Sequence, residues 1–152
     1  MEELLLDKYL TKLGKLNCAK INGKIIIAKP VFLLAILEAI GDKVITVNRF
    51  YWDTKSEQYK ILNRYYTECY IGYSPNSYLT PLFKPFYHLK HDGFWHLIIK
   101  EGVKFPRASS SGFMSENLEY AHFDEDFWNI IQGQNSREII RNFIVEKYIK
   151  SC

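Results

Sequence analysis

The chain has 152 residues and a mass of 18.0 kDa, with 47% hydrophobic and 24% charged residues, which is room for one well-filled core and not for two ordinary domains. A net charge of +3 and a pI near 8.6 permit a polyanionic partner without demanding one. Glu2 and Glu3 stand where a secretory signal needs basic residues, the longest apolar run (Pro30 to Ile40) is far short of a membrane span, and Cys18, Cys69 and Cys152 form neither a Cys-x-x-Cys pair nor an even set, so a reducing cytoplasm is the expected setting.

Residues 2–15 place Leu5, Leu6, Tyr9, Leu10 and Leu13 at helical spacing between charged residues, predicting an amphipathic opening helix that weakens at Gly14. Asn22-Gly23 then sits between Ala19-Lys20-Ile21 and Ile25-Ile26-Ile27, a pattern for a tight hairpin or an irregular loop. Lys29-Pro30 opens a run that is apolar on nearly every side to Ile40 and is closed by Gly41, which reads as a central buried helix.

A short strand is expected at Val44–Val47. Residues 48–70 alternate basic and aromatic side chains; part of this stretch should be helical, with Phe50, Tyr51, Ile61, Leu62 and Tyr65 inward. Gly72 to Thr80 is a polar loop. Lys84 to Trp95, Lys-Pro-Phe-Tyr-His-Leu-Lys-His-Asp-Gly-Phe-Trp, is the densest mixture of rings and charges in the chain, and Asp92-Gly93 is strong turn chemistry. Read as a β-hairpin, it puts Lys84, His88 and Lys90 on one strand face and Pro85, Tyr87 and Leu89 on the other, a binding face with an apolar wall.

Phe94 to Ile99 alternates as the second strand. A loop from Lys104 to Gly112 holds Arg107 and three serines, and a further strand is expected at 119–123. Two helices close the chain. Asp124 caps the first, which buries Phe127, Trp128 and Ile131; Asn135 with Glu138 caps the second, which buries Ile139, Ile140, Phe143, Ile144 and Tyr148. The sum is an α+β fold spanning 1–152, a single domain in which a small antiparallel sheet and a hairpin pack against several helices.

Lys29 is the second point of interest, because the free N–H groups and positive dipole end at the start of the buried helix attract anions and Lys29 adds a full charge. The histidines His88, His91 and His96 do not converge with Asp92 as three zinc ligands must, so no metal is expected. There is no Gly-x-Ser-x-Gly elbow, no evident base beside Cys69 and no phosphate loop, and capping accounts for Asp124-Glu125-Asp126. No catalytic set and no cofactor are expected.

Lys29-Pro30-Val31-Phe32-Leu33-Leu34, followed by Lys84-Pro85-Phe86-Tyr87-His88-Leu89, Asp92-Gly93-Phe94-Trp95 and Phe123-Asp124-Glu125-Asp126-Phe127-Trp128, resembles the sulfur-binding domain that recognises phosphorothioate-modified DNA in type IV restriction enzymes, and related amino-terminal regions of bacterial HNH endonucleases. The resemblance runs from the first helix to the last. It implies a DNA-reading module of a restriction or defence system, with Lys29 at the basic position that meets the backbone and Pro85 in the apolar sulfur pocket. Ala28 replaces the family's histidine and Lys84 its tyrosine, so a backbone pocket is implied and its preference for sulfur is not. His88 projects to the same site, and Arg107 supplies a further backbone contact. The HNH motif is absent, so cleavage falls to a separate nuclease subunit or to another part of a longer protein. The alternatives from other classes are a protein-interaction or regulatory subunit that keeps the fold without DNA, and an enzyme for a small anion at Lys29 and His88.

Overall fold

The computed structural model describes residues 2–102 and 111–150. Its organising element is α2 (Ala28–Gly41), in which twelve of fourteen residues are buried, so every face of the helix must be covered by another element. Val31, Phe32, Ala35, Ile36 and Ala39 are wholly shielded from water. Pro30 lies in the first turn, where a missing N–H costs nothing, and Ile27 stands at the cap without a side-chain hydrogen bond. Beyond Gly41, Lys43 takes a positive φ of 62° and both Val44 and Ile45 donate backbone bonds to Ala39 O, so the expected strand at 44–47 is instead a helix-terminating loop.

The other elements wrap this helix. They are α1 (Glu2–Leu13), the hairpin strands β1 (Lys20–Ile21) and β2 (Lys24–Ile25), α3 (Glu57–Tyr73), α4 (Phe83–His88) continued by a 3₁₀ turn (Leu89–Asp92), β3 (Trp95–Ile99), α5 (Ser111–Asn117), β4 (Leu118–Phe123), α6 (Glu125–Ile131) and α7 (Gln134–Ile144) with a π turn (Val145–Ile149). Each of the two sheets among the described residues has two antiparallel strands. β1 and β2 are joined by Asn22 (φ 53°) and Gly23 (φ 81°), as that dipeptide predicts. The other sheet pairs β3 with β4, Trp95 opposite Phe123 and His96 opposite His122, and Phe50 adds one bridge through Ala121. The predicted α+β class therefore holds, while one of its hairpins does not.

The segment 84–95 is helical and not a β-hairpin. Leu82, Pro85, Phe86 and Leu89 are all buried and stand at i, i+3, i+4 and i+7, which is a helix stripe. Pro85 is third in the helix and loses no hydrogen bond there, and Phe86 N–H reaches Leu82 O at 3.2 Å. Gly93, at φ 86°, ends the 3₁₀ turn, and β3 finds its partner in β4, 23 residues on, across the segment 103–110.

Most of the aromatic surplus goes into the core. Phe32, Phe50, Phe86, Trp95 and Phe123 form one tilted and edge-to-face cluster, with Phe32–Trp95 centroids 5.5 Å apart and Trp95–Phe123 4.9 Å apart. Trp95 Nε1 donates to Phe86 O at 2.7 Å, fastening β3 to α4. Tyr51 and Ile139, expected inward, are 44% and 47% exposed; Tyr66 and Tyr70 take the buried places on α3. Asp124 stands at the start of α6 without capping it, since its carboxylate accepts from Tyr9 Oη at 2.9 Å and from His96 Nε2. Helix α7 begins at Gln134 with Gly133 at its cap, so Asn135 lies inside it rather than capping it. No helix among the described residues is long and apolar enough to cross a membrane.

Candidate functional site

Helical geometry changes which predicted residues share a face. Lys84 and His88 are four apart and stay together, because i and i+4 are neighbours on a helix as they are on one side of a strand. His91 joins them one turn on. Tyr87 rotates away: it is 1% exposed, with its hydroxyl accepting from Lys90 Nζ at 2.8 Å and that ammonium 4.2 Å from the ring centre.

Lys84, Pro85, His88 and His91 line one side of a cavity of about 410 Å³; Asn17, Cys18, Ala19, Ile26, Ala28 and Lys29 line the other, and Thr80 completes the lining. Four predicted residues (Lys29, Lys84, Pro85 and His88) thus converge on one space although Lys29 is more than fifty positions from the other three in the chain. Tyr87 is not among the lining residues, and Arg107 lies outside the described ones.

Lys29 is less available than a solvent-facing lysine. Its Nζ donates to Asp92 Oδ2 and to Asn17 O, both at 2.7 Å, while Asp92 Oδ1 accepts the Asn17 N–H at 2.7 Å. The side chains are 9% and 2% exposed. Of three N–H donors on the ammonium, one remains for a ligand. Lys84 and His88 are exposed. Partial burial against the wall pulls the His88 imidazole below its ordinary pKa, and the neighbouring charges of His91, Lys29, Lys90 and Lys84 push it further the same way.

A second cavity, of about 480 Å³, lies across β1–β2 and shares Ile26 and Thr80 with the first. Thr80 is 8% exposed; its hydroxyl meets Tyr70 Oη at 3.2 Å and its carbonyl accepts from Tyr66 Oη at 2.7 Å, which fixes this shared floor to α3. Neither cavity has an Asp or Glu in its lining, whereas the cavities elsewhere are lined by Glu38 and Glu138, by Asp7 or by Glu125. A sequence signal for this exists. Residues 8–37 contain six lysines and no acid, and residues 69–91 contain Lys84, Lys90, His88 and His91 and no acid. The fold brings these two acid-free segments face to face, and that pattern points to Asn17, Ala19 and Ile26, which motif reading missed.

Among the described residues no group of three or more histidine, cysteine or acidic side chains is placed to hold a metal ion. Cys69 lies beside Glu38, and burial, then the carboxylate charge, push its thiol up to about 12, the opposite of an activated nucleophile.

No protein-family model matches the chain, and no curated protein matches it. Among solved structures it is similar to the sulfur binding domain of ScoMcrA complexed with phosphorothioated DNA, at a TM-score of 0.67 and 14% identity, over 94% of this chain and 88% of that one. The resemblance carried by the Lys-Pro and Asp-Gly-Phe-Trp segments is thus matched in three dimensions, and the chain has the fold of that sulfur-binding domain.

Proposed function

We propose that this chain is a DNA-binding domain that seats one backbone phosphate, plain or sulfur-substituted, in the cavity between the 17–29 segment and α4. The observation that carries the reading is the acid-free lining, in which Lys29, Lys84, His88 and His91 are interspersed with apolar groups from Pro85, Ala28 and Ile26 on a fold shared with a domain solved with phosphorothioated DNA. Basic groups suit the anionic oxygens, and the apolar groups among them suit a polarisable, weakly hydrated sulfur. Tyr87 serves by holding Lys90 and packing α4; Arg107 is a further backbone contact. In this reading the domain is the recognition part of a restriction or defence system.

Titration of fluorescent plain and phosphorothioate duplexes at several salt concentrations tests it. Log affinity should fall against log salt with a slope of about −2, because the seated phosphate and the further backbone contact each contribute roughly −0.9. Lys84→Ala should lower the slope by about 1. Absence of binding to either duplex at low salt would refute the proposal and favour a protein partner.

A further inference from the structure

Resting on that reading, we infer that the second acid-free cavity seats the nucleoside next to the held phosphate, so that the domain takes an unpaired nucleotide out of the DNA strand. The two cavities abut at Ile26 and Thr80, and the second has a volume of about 480 Å³. That lies within the range of about 300–1,000 Å³ usual for small-molecule sites. A nucleoside is bonded directly to its phosphate, so a phosphate in the first cavity brings a sugar and base within reach of the second. In a paired duplex the base points into the stack toward the opposite strand; only an unpaired one is free to turn outward.

The lining has the chemistry of such a ligand. Ile25, Ile26, Ile27 and Ile149 offer apolar cover, and Tyr73 and Tyr78 offer rings on which any base can stack. Among the described lining residues the polar side chains are hydroxyl-bearing ones and Lys24. Thr80 Oγ1 meets Tyr70 Oη at 3.2 Å and Ser74 Oγ meets Ser77 Oγ, so each pair shares one hydrogen bond and keeps a donor and acceptor lone pairs for a base edge or a sugar. Uncharged hydrogen-bonding groups with apolar cover and no carboxylate fit an uncharged planar heterocycle better than an ion. Lys24 has the sign that the neighbouring phosphate requires.

Titration of labelled phosphorothioate duplexes tests the assignment. One duplex is fully paired, two carry a mismatch at the nucleotide on one or the other side of the sulfur, and another carries it several base pairs away. Unpairing has a cost that a mismatch has already met. One of the two adjacent mismatches should therefore bind about tenfold more tightly than the paired duplex, and the distant one no better. Tyr78→Ala and Ser77→Ala, both at exposed sites, should each cut that gain by about threefold while binding to the paired duplex changes less than about twofold. Lys84→Ala should weaken every duplex alike and keep the gain. Equal affinity for paired and mismatched duplexes, an equal gain from the distant mismatch, or a gain that survives both changes overturns the inference while leaving the backbone-binding proposal standing. Failure to bind any duplex removes both.

Discussion

Lys29 and Asp92 form an ion pair 2.7 Å long with almost no exposure to water, and Asp92 uses its second oxygen to hold the Asn17 N–H. The pair joins the start of the central helix to the turn after α4, the two sides of the cavity. A residue selected for its charge is thus also a structural pin. Buried charges of this kind are costly to break singly, because the survivor is left without compensation.

Asp92→Ala should therefore destabilise the domain by about 3–5 kcal/mol. The double change Lys29→Met with Asp92→Leu removes both charges and should cost distinctly less. Urea unfolding of the three proteins, compared at equal m-value, checks the order; a double variant as weak as Asp92→Ala would mean that the bond to Asn17 dominates.

Binding of an anion should be linked to proton uptake at His88. Its imidazole is held below the ordinary value in the free domain, by partial burial and then by cationic neighbours, and a phosphate beside it would raise it. The complex then holds more protons than the free protein, so affinity rises as pH falls from about 8 to about 5. His88→Asn should flatten the profile, as read by anisotropy titrations across that range.

Asp124 predicts an acid limb in stability. Burial alone would raise its carboxyl, but hydrogen bonds from His96 and Tyr9 outweigh this and hold it below its usual 3.8. The folded value is depressed, so the contribution is complete above the ordinary carboxyl range and is lost as pH falls through the lower folded value. Tyr9→Phe removes one donor to the carboxylate and should cost about 1 kcal/mol near neutrality, with a smaller loss below about pH 3. Melting temperatures at both pH values measure it.

Gly93 should resist substitution. It sits at φ 86° where α4 and its turn give way to β3, and a Cβ there would meet Lys12 Nζ at 3.7 Å, so space is available and backbone conformation is the obstacle. Gly93→Ala should cost about 1–2 kcal/mol in chemical unfolding. If Lys84 and His88 keep their positions, salt-dependent binding should survive where the protein remains folded.

Much of the fold was legible because local signals agreed with tertiary need. The all-round apolar character of 30–40 could only be a central helix, and Asn22-Gly23 closed a hairpin as its conformational freedom suggests. The 84–95 segment misled because Lys84 and His88 share a face under both periodicities; Leu82, Pro85, Phe86 and Leu89 were the discriminating set. Tyr51 and Ile139 were misplaced since a ring or an aliphatic chain does not by itself say which side of an element is covered. The convergence of Lys29 with Lys84, Pro85 and His88 was foreseen through the family resemblance. The Lys29–Asp92 pair, 63 positions apart, has no local signature, and the acid-free stretches 8–37 and 69–91 were the overlooked clue to the rest of the lining.

All three tryptophans, Trp52, Trp95 and Trp128, are buried, and none lines either of the two acid-free cavities. Trp52 is anchored through its indole N–H to Ser111 and Trp95 to Phe86. The domain therefore carries an intrinsic optical reporter of its folded state whose emission lies on the blue side while the core is closed. A ligand seated at the cavity leaves that signal nearly unchanged, so fluorescence can separate a variant that has lost its ligand from one that has lost its fold.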